Sequence, residues 1–279
     1  MTAATLVAQL FPGCQPRRLE GGWTSDTFEV DGWIVQVARS RYASDRLRHQ
    51  ARVLPRLAPY LATRIPCPEL IAEQPTTVRY RKLEGTPSDE VRLGAWPEQL
   101  GAVLASLHSL DPAAIGLDPV EPGALRDRQR ATCDQLRARV VPRLDPHERA
   151  AANALLDAFL DERHWRFAPA PSHADLGPEH VLVDPAGNLA GVIDWEELDA
   201  SNPTGDFTWW IHARPEIGER MVRGYGRPLD DAARAWARIA YAVMPWHEVD
   251  HGVDTGDEDC IASGLAGVRD RMFDPARST

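Results

Sequence analysis

Residues 173–199 read HADLGPEHVLVDPAGNLAGVIDWEELD: two short apolar runs of strand periodicity around the turn sequence PAGN, inside a half of the chain that is otherwise helical in spacing. A hairpin here narrows the fold more than any other feature, because it dictates which side chains meet. With Asp184 opposite Leu189, His180 faces Ile193, so the ribbon brings His180 and Asp194 together at its open end. Asp175, on the loop entering the ribbon, converges on the same volume. A nitrogen from His180 and an oxygen from Asp194 suit a divalent ion that keeps open positions for water or phosphate. Asp175 then stands close enough to accept a proton from a hydroxyl. The segment alone also admits a metallohydrolase using His173, His180 and Asp194, or a plain solvated acidic loop.

The opening third has its own pattern. TFEVDGWIVQVA at 27–38 is two β-rich runs around Asp31-Gly32, a dipeptide that favours a tight type I′ turn. If Val30 pairs with Trp33, then Phe28, Val30, Trp33, Val35 and Val37 share an apolar face, and the face carrying Gln36 is mixed enough to line a polar cleft. A helix follows, with Ser44 as its cap, Leu47, Ala51 and Leu54 on one stripe, and Pro55 disturbing its end. Gln50 falls in that stripe and needs a buried partner, for which Gln36 is the candidate. A further strand spans 77–83. Glu84-Gly85-Thr86-Pro87 then breaks the pattern, dividing a small β-rich lobe (1–84) from a larger, mostly helical one (85–279). In the second lobe Leu100, Val103, Leu104 and Leu107 keep helical spacing. Asp145-Pro146-His147-Glu148 reads as a capping box for a helix to about Trp165, and two more helices are expected between about 229 and 275.

The order of these parts resembles one family. HADLGPEH is similar to the H-x-D-x-x-x-x-[N/H] signature of the aminoglycoside phosphotransferases, and GVIDWEELDASNPTGDF to their following I-D-[W/F]…G-D-x-x-x-D region. LEGGWTSDTFEV stands at the family's nucleotide-loop position, WIVQVARS at its lysine or arginine strand, LRHQARVL at its paired-acid helix and LGAVLASLHSL at its first large-lobe helix. The resemblance implies an α+β, bilobal, protein-kinase-like fold and ATP (or GTP) with Mg2+ as cofactors. It implies Asp175 as the group that accepts the substrate hydroxyl proton, and His180 and Asp194 as metal ligands. His173 and Asp206 support the loop. Gly22, Thr24 and Ser25 would cover the phosphates, and Arg81 to Leu83 would present backbone groups to the purine. The chain departs from the family where Gln36 replaces the basic residue on the strand and Gln50 the glutamate on the helix, which suggests a nucleotide-binding protein without catalysis as a rival reading.

Composition bears on partners. The net charge of −10 argues against a nucleic-acid binder and is compatible with a cationic small molecule, an antibiotic by resemblance. The acidic stretch PWHEVDHGVDTGDED would offer Glu248 and Asp250 to ammonium groups, provided its backbone is extended or looped, while Trp209, Trp210 and Trp246 would form a flat wall or simply core. Cys14, Cys67, Cys133 and Cys260 are too scattered for a zinc site or a disulfide framework. No apolar run approaches the roughly 20 residues of a membrane span, and MTAATLVAQLFPG is unlike a signal peptide, so a cytoplasmic protein is expected, with a monomer slightly favoured. Lys82 is the single lysine among 31 basic residues, and it falls at the connection between lobes rather than at a phosphate site.

Overall fold

The structure, a computed structural model, describes residues 2–19, 24–118 and 120–273. In chain order it runs α1 (Ala3–Leu10), β1 (Arg17–Leu19), β2 (Ser25–Val30), β3 (Trp33–Ala38), α2 (Arg41–Leu57), β4 (Glu69–Glu73), β5 (Thr76–Arg81) and β6 (Thr86–Pro87). It continues through α3 (Trp96–His108), α4 (Pro112–Ile115), α5 (Pro122–Arg139), α6 (Arg149–Phe159), β7 (Ala170–Ser172), β8 (Val181–Val183), β9 (Leu189–Val192) and β10 (Asp199–Ser201). Helices α7 (Gly205–Ala213), α8 (Pro215–Tyr225), α9 (Asp231–Thr255) and α10 (Glu258–Phe273) complete it. The class is α+β, with a sheet-rich amino-terminal region and a helical carboxy-terminal region. No helix among the described residues is long and apolar enough to cross a membrane.

The chain forms two compact units, one of residues 1–118, 170–200 and 220–226, the other of 119–169, 201–219 and 227–279. The first is built on an antiparallel sheet ordered β1-β2-β3-β5-β4. Val30 pairs with Trp33 as the pattern requires, and Asp31 and Gly32 both take positive φ (48° and 75°), the requirement of a type I′ turn. Phe28, Val30, Val35 and Val37 bury with Leu6 and Val7 against partly buried Trp33. The opposite face is drier than its sequence suggests: Ala38 and Val78 pack there with Ala43 and Leu47 of α2. The cap of α2 is Ser40, not Ser44, and its side chain accepts from the Ala43 amide at 3.1 Å. Pro55 lies inside the helix without ending it, since it removes one donor near the last turn and the Ala58 amide still reaches the Leu54 carbonyl.

The first unit does not stop at Gly85. Thr86 and Pro87 of β6 pair with Val183 and Leu182 of β8, and Arg64 bridges to Gly191, so the hairpin of 181–192 belongs to the same unit as the sheet. Leu100, Val103, Leu104 and Leu107 of α3 are buried as their spacing requires. Residues 220–225 of α8 lie against α3: Arg220 clasps Glu98 at 2.7 and 2.6 Å and reaches the Gly94 carbonyl at 2.6 Å. That guanidinium holds the Glu98 carboxyl below its usual range.

In the second unit α9 and α10 pack as a pair, joined through Gly256, whose φ of 70° is the left-handed cap a glycine favours. Both helices foreseen after 229 are present. The helix after Glu148 is shorter than expected, ending at Phe159, and only half of the capping box forms: the Asp145 amide donates to the Glu148 carboxylate at 2.9 Å. Arg269 claims the rest of that carboxylate at 2.9 Å. Trp210 and Trp246 are fully buried, hence core rather than wall. All four cysteines are free.

Candidate active site

Three short backbone segments of the first unit meet at the open end of the β8–β9 hairpin. Val181 pairs with Val192 and Leu182 with Gly191, and beyond them the Ile193 amide donates to the His180 carbonyl at 2.9 Å, which is the expected register at that end. Toward the turn the ladder slips by one residue, so that Val183, not Asp184, faces Leu189. The Asp184 carboxylate instead caps the turn, accepting from the amides of Ala186 (2.9 Å) and Asn188 (2.8 Å).

His173 is fully buried and ties the segments together. Its Nε2 donates to the Ile193 carbonyl at 2.9 Å, and its Nδ1 accepts from the Asp175 amide at 3.3 Å. Its ring lies 4.6 Å from that of Trp195 and stacks at 6.0 Å on that of His180. His180 donates through Nδ1 to the Asp175 carbonyl at 2.7 Å. Because a carbonyl only accepts, this bond uses the Nδ1 proton, and Nε2 is the ring nitrogen that offers a lone pair when the imidazole is neutral. That nitrogen is 3.5 Å from Asp194 Oδ2 and 3.9 Å from Glu179 Oε1, and Asp175 Oδ2 lies 4.0 Å from Nδ1. An imidazole nitrogen and a carboxylate oxygen 3.5 Å apart are the two ligand atoms that this end of the ribbon offers a divalent cation.

Two residues carry backbone strain here. Ala174 (φ 67°) and Asp194 (φ 59°) occupy the left-handed region, at roughly 1 kcal/mol each, and they flank the segments that converge. The Asp175 carboxyl is held above its usual range, chiefly by desolvation and further by the charges of Asp194 and Glu179, while His180 and His173 pull the other way. Its outer side is open, with 58% of the side chain exposed, so a substrate hydroxyl can reach it. Glu196 is raised too, first by desolvation, although Thr24 Oγ1 donates to its Oε2 at 2.8 Å.

The remaining expected residues divide. Thr24 and Ser25 sit at the start of β2, Ser25 with its hydroxyl buried and unpartnered, whereas Gly22 lies outside the described residues. Gln36 Oε1 is buried without a partner, and no hydrogen bond joins it to the buried Gln50. Lys82 is paired with Glu29 at 3.1 Å and Arg39 with Asp26, so neither substitutes for the missing strand cation. The Arg81 guanidinium lies 3.9 Å over the Trp33 ring, while its backbone pairs with Trp33, next to Leu83 at the end of the sheet. Asp206 is fully buried in the first turn of α7, in the second unit.

The acidic pair is a correction. Glu248 and Asp250 lie within the continuous helix α9, not in a loop, and two helical positions put them about 200° apart. Asp250 is already engaged: Gln135 donates to it at 2.7 Å and Arg139 pairs with it at 3.1 Å. Asp250→Asn therefore lowers the melting temperature and leaves the KM of any cationic acceptor unchanged, which a thermal melt and a saturation curve on the same variant will check. Glu179, Glu196 and Glu197 were passed over in the sequence; Glu179 falls inside the HADLGPEH signature and the other two follow Asp194 directly, which was the available signal.

Similarity to known proteins agrees with this geometry. The model of the phosphotransferase enzyme family matches residues 16–241. Viomycin phosphotransferase of Streptomyces vinaceus is 28% identical over 254 residues, covering 85% of this chain and 86% of that one. Among solved structures, the GDP and kanamycin complex of APH(2")-IIia superposes with a TM-score of 0.82 at 20% identity over 96% of this chain and 97% of that one. The apoenzyme of macrolide 2'-phosphotransferase MphH from Brachybacterium faecium gives 0.69 at 21% identity, over 95% and 96%. These two share the fold. The match over most of its length makes this chain a member of the phosphotransferase enzyme family, an enzyme that transfers phosphoryl groups to hydroxyl acceptors.

Proposed function

We propose that this enzyme moves the terminal phosphoryl of ATP or GTP onto a hydroxyl of a small cationic antibiotic, inactivating the drug and conferring resistance. The observation that carries the reading is the convergence of the Asp175 carboxyl, the free Nε2 of His180 and the Asp194 carboxylate. The Asp175 carboxylate orients the acceptor hydroxyl and takes its proton as the oxygen–phosphorus bond forms and the nucleoside diphosphate leaves. His180 Nε2 and Asp194 would hold Mg2+, which when bound supplies positive charge against the phosphate oxygens. Gly22, Thr24 and Ser25 would cover the phosphates through their backbone, since the Thr24 hydroxyl is engaged by Glu196 and that of Ser25 is buried, and the backbone of Arg81 to Leu83 would meet the purine. His173 keeps the loop in register, Gln50 supports the fold of the first unit, and Asp206 that of the second. With a loose transition state, positioning and charge neutralisation supply most of the rate.

The cationic acceptor is supported by the −10 charge, while the relative named for viomycin, the kanamycin complex and the macrolide enzyme mark the neighbouring acceptor classes. An enzyme consuming ATP or GTP suits the cytoplasm, where both are made. The unpartnered Gln36 favours one rival, a nucleotide-binding protein with no catalysis. Incubation with nucleotide, Mg2+ and a panel of cyclic-peptide, aminoglycoside and macrolide drugs separates the two. A mass gain of one phosphoryl on a cationic member supports the proposal, gain on macrolides alone replaces the acceptor class, and nucleotide binding with no product favours the rival.

A further inference from the structure

The site lacks the strand-to-helix ion pair, yet it packs three carboxylates, Asp194, Glu196 and Glu197, into four successive positions. Like charges so close repel, and Asp194 additionally holds a left-handed backbone that persists only where its surroundings fix it. Something must hold this segment. Along α2, Tyr42, Arg46 and His49 recur at i, i+4 and i+7 and therefore share one face. Each of them reaches residues 197–198. Tyr42 Oη donates to Glu197 Oε1 at 3.1 Å, Arg46 Nη2 lies 3.7 Å from Glu197 Oε2, and His49 Nε2 donates to the Leu198 carbonyl at 3.2 Å. Thr24 adds its bond to Glu196 from the sheet. Partial burial and the charge of Glu197 push the Tyr42 phenol up to about 12, so it remains a donor.

Arg46 is the unusual member. Only 19% of its side chain is exposed, and its Nε and Nη2 are buried with no hydrogen-bond partner, as is Glu196 Oε1 beside it. We propose that Arg46 is a positioning residue: its guanidinium, 3.7 Å from the Glu197 carboxylate, holds the segment after Asp194 against helix α2. The inference rests on the reading of Asp194 as a metal ligand.

The test uses Arg46→Met, Glu197→Gln, the double variant and the conservative Arg46→Lys. The Leu198 amide bonds the Trp195 carbonyl at 3.2 Å, so hydrogen exchange at that amide reports on the segment without any metal or nucleotide. In Arg46→Met and Glu197→Gln the exchange speeds up by about tenfold while the β2–β3 amides stay protected, as expected for one partly exposed ion pair. In phosphoryl transfer, kcat falls and the half-saturating Mg2+ concentration rises by a similar factor of about ten, with the nucleotide KM changed less than about threefold. Arg46→Lys recovers part of the loss, and the double variant is no worse than either single one. Unchanged exchange in a folded, active Arg46→Met, or single losses that multiply in the double variant, overturns the latch and leaves the proposed reaction standing. A wild-type protein that transfers no phosphoryl overturns the reaction and with it any catalytic duty for Arg46.

Discussion

Asp175→Asn lowers kcat by about 10²- to 10⁴-fold, the usual share of a positioned proton acceptor, equivalent to about 3–5 kcal/mol of barrier. The substitution tests chemistry rather than folding, because the bonds that build the loop use the Asp175 backbone: its carbonyl accepts from His180 and its amide donates to His173. Asparagine preserves both and matches the carboxyl in shape. The melting temperature and the nucleotide KM therefore stay near wild type while turnover collapses. A variant that retains more than about a tenth of wild-type kcat would remove Asp175 from the proton transfer.

Gly224→Val gives the largest loss of stability. A side chain on Gly224 would stand 2.6 Å from both the carbonyl carbon and the Cα of Glu98, and one on Gly101 would stand 2.8 Å from the Tyr225 amide and 2.9 Å from the Met221 carbonyl carbon. Helix α3 and the last turns of α8 thus touch backbone to backbone, and neither surface has a flexible atom to yield. Adding a branched side chain drives them apart and pulls Arg220 off Glu98, at about 3 kcal/mol or more. The midpoint of thermal unfolding falls by about 6–12 °C for a chain of this size. Unfolding within about 2 °C of wild type would mean the two helices are not packed this closely.

How much of this was legible depends on where the information lies. The β2–β3 register was readable because Asp31-Gly32 and strict alternation act over neighbouring residues. The β8–β9 ribbon was readable at its open end, where His180 meets Ile193, but the slip at Val183 was not, since one extra residue beside a turn leaves the alternation unchanged farther out. Gly252 misled in the opposite sense. It suggested a loop around Asp250, whereas it sits in α9 because Ile261 and Asp257 approach within 2.8–2.9 Å of where its side chain would be. The expected Gln36–Gln50 bond did not form, because a place on a buried stripe and one on a mixed strand face say that each amide needs a partner but not which one. The contacts of Thr24, Tyr42, Arg46 and His49 with residues 196–198 join positions 149 to 172 apart in the chain and leave no local pattern to read.

The central claim is that one imidazole and one carboxylate, brought together by a β ribbon beside a proton-accepting aspartate, hold the cation of a phosphoryl-transfer site. Crystals grown with Mn2+ and a non-hydrolysable nucleotide, examined by anomalous scattering, test it most directly. The account predicts a manganese peak within bonding distance of both His180 Nε2 and Asp194 Oδ2, with the terminal phosphate on its far side facing Asp175. A peak bound to neither residue, or a nucleotide whose phosphates lie away from Asp175, would contradict it.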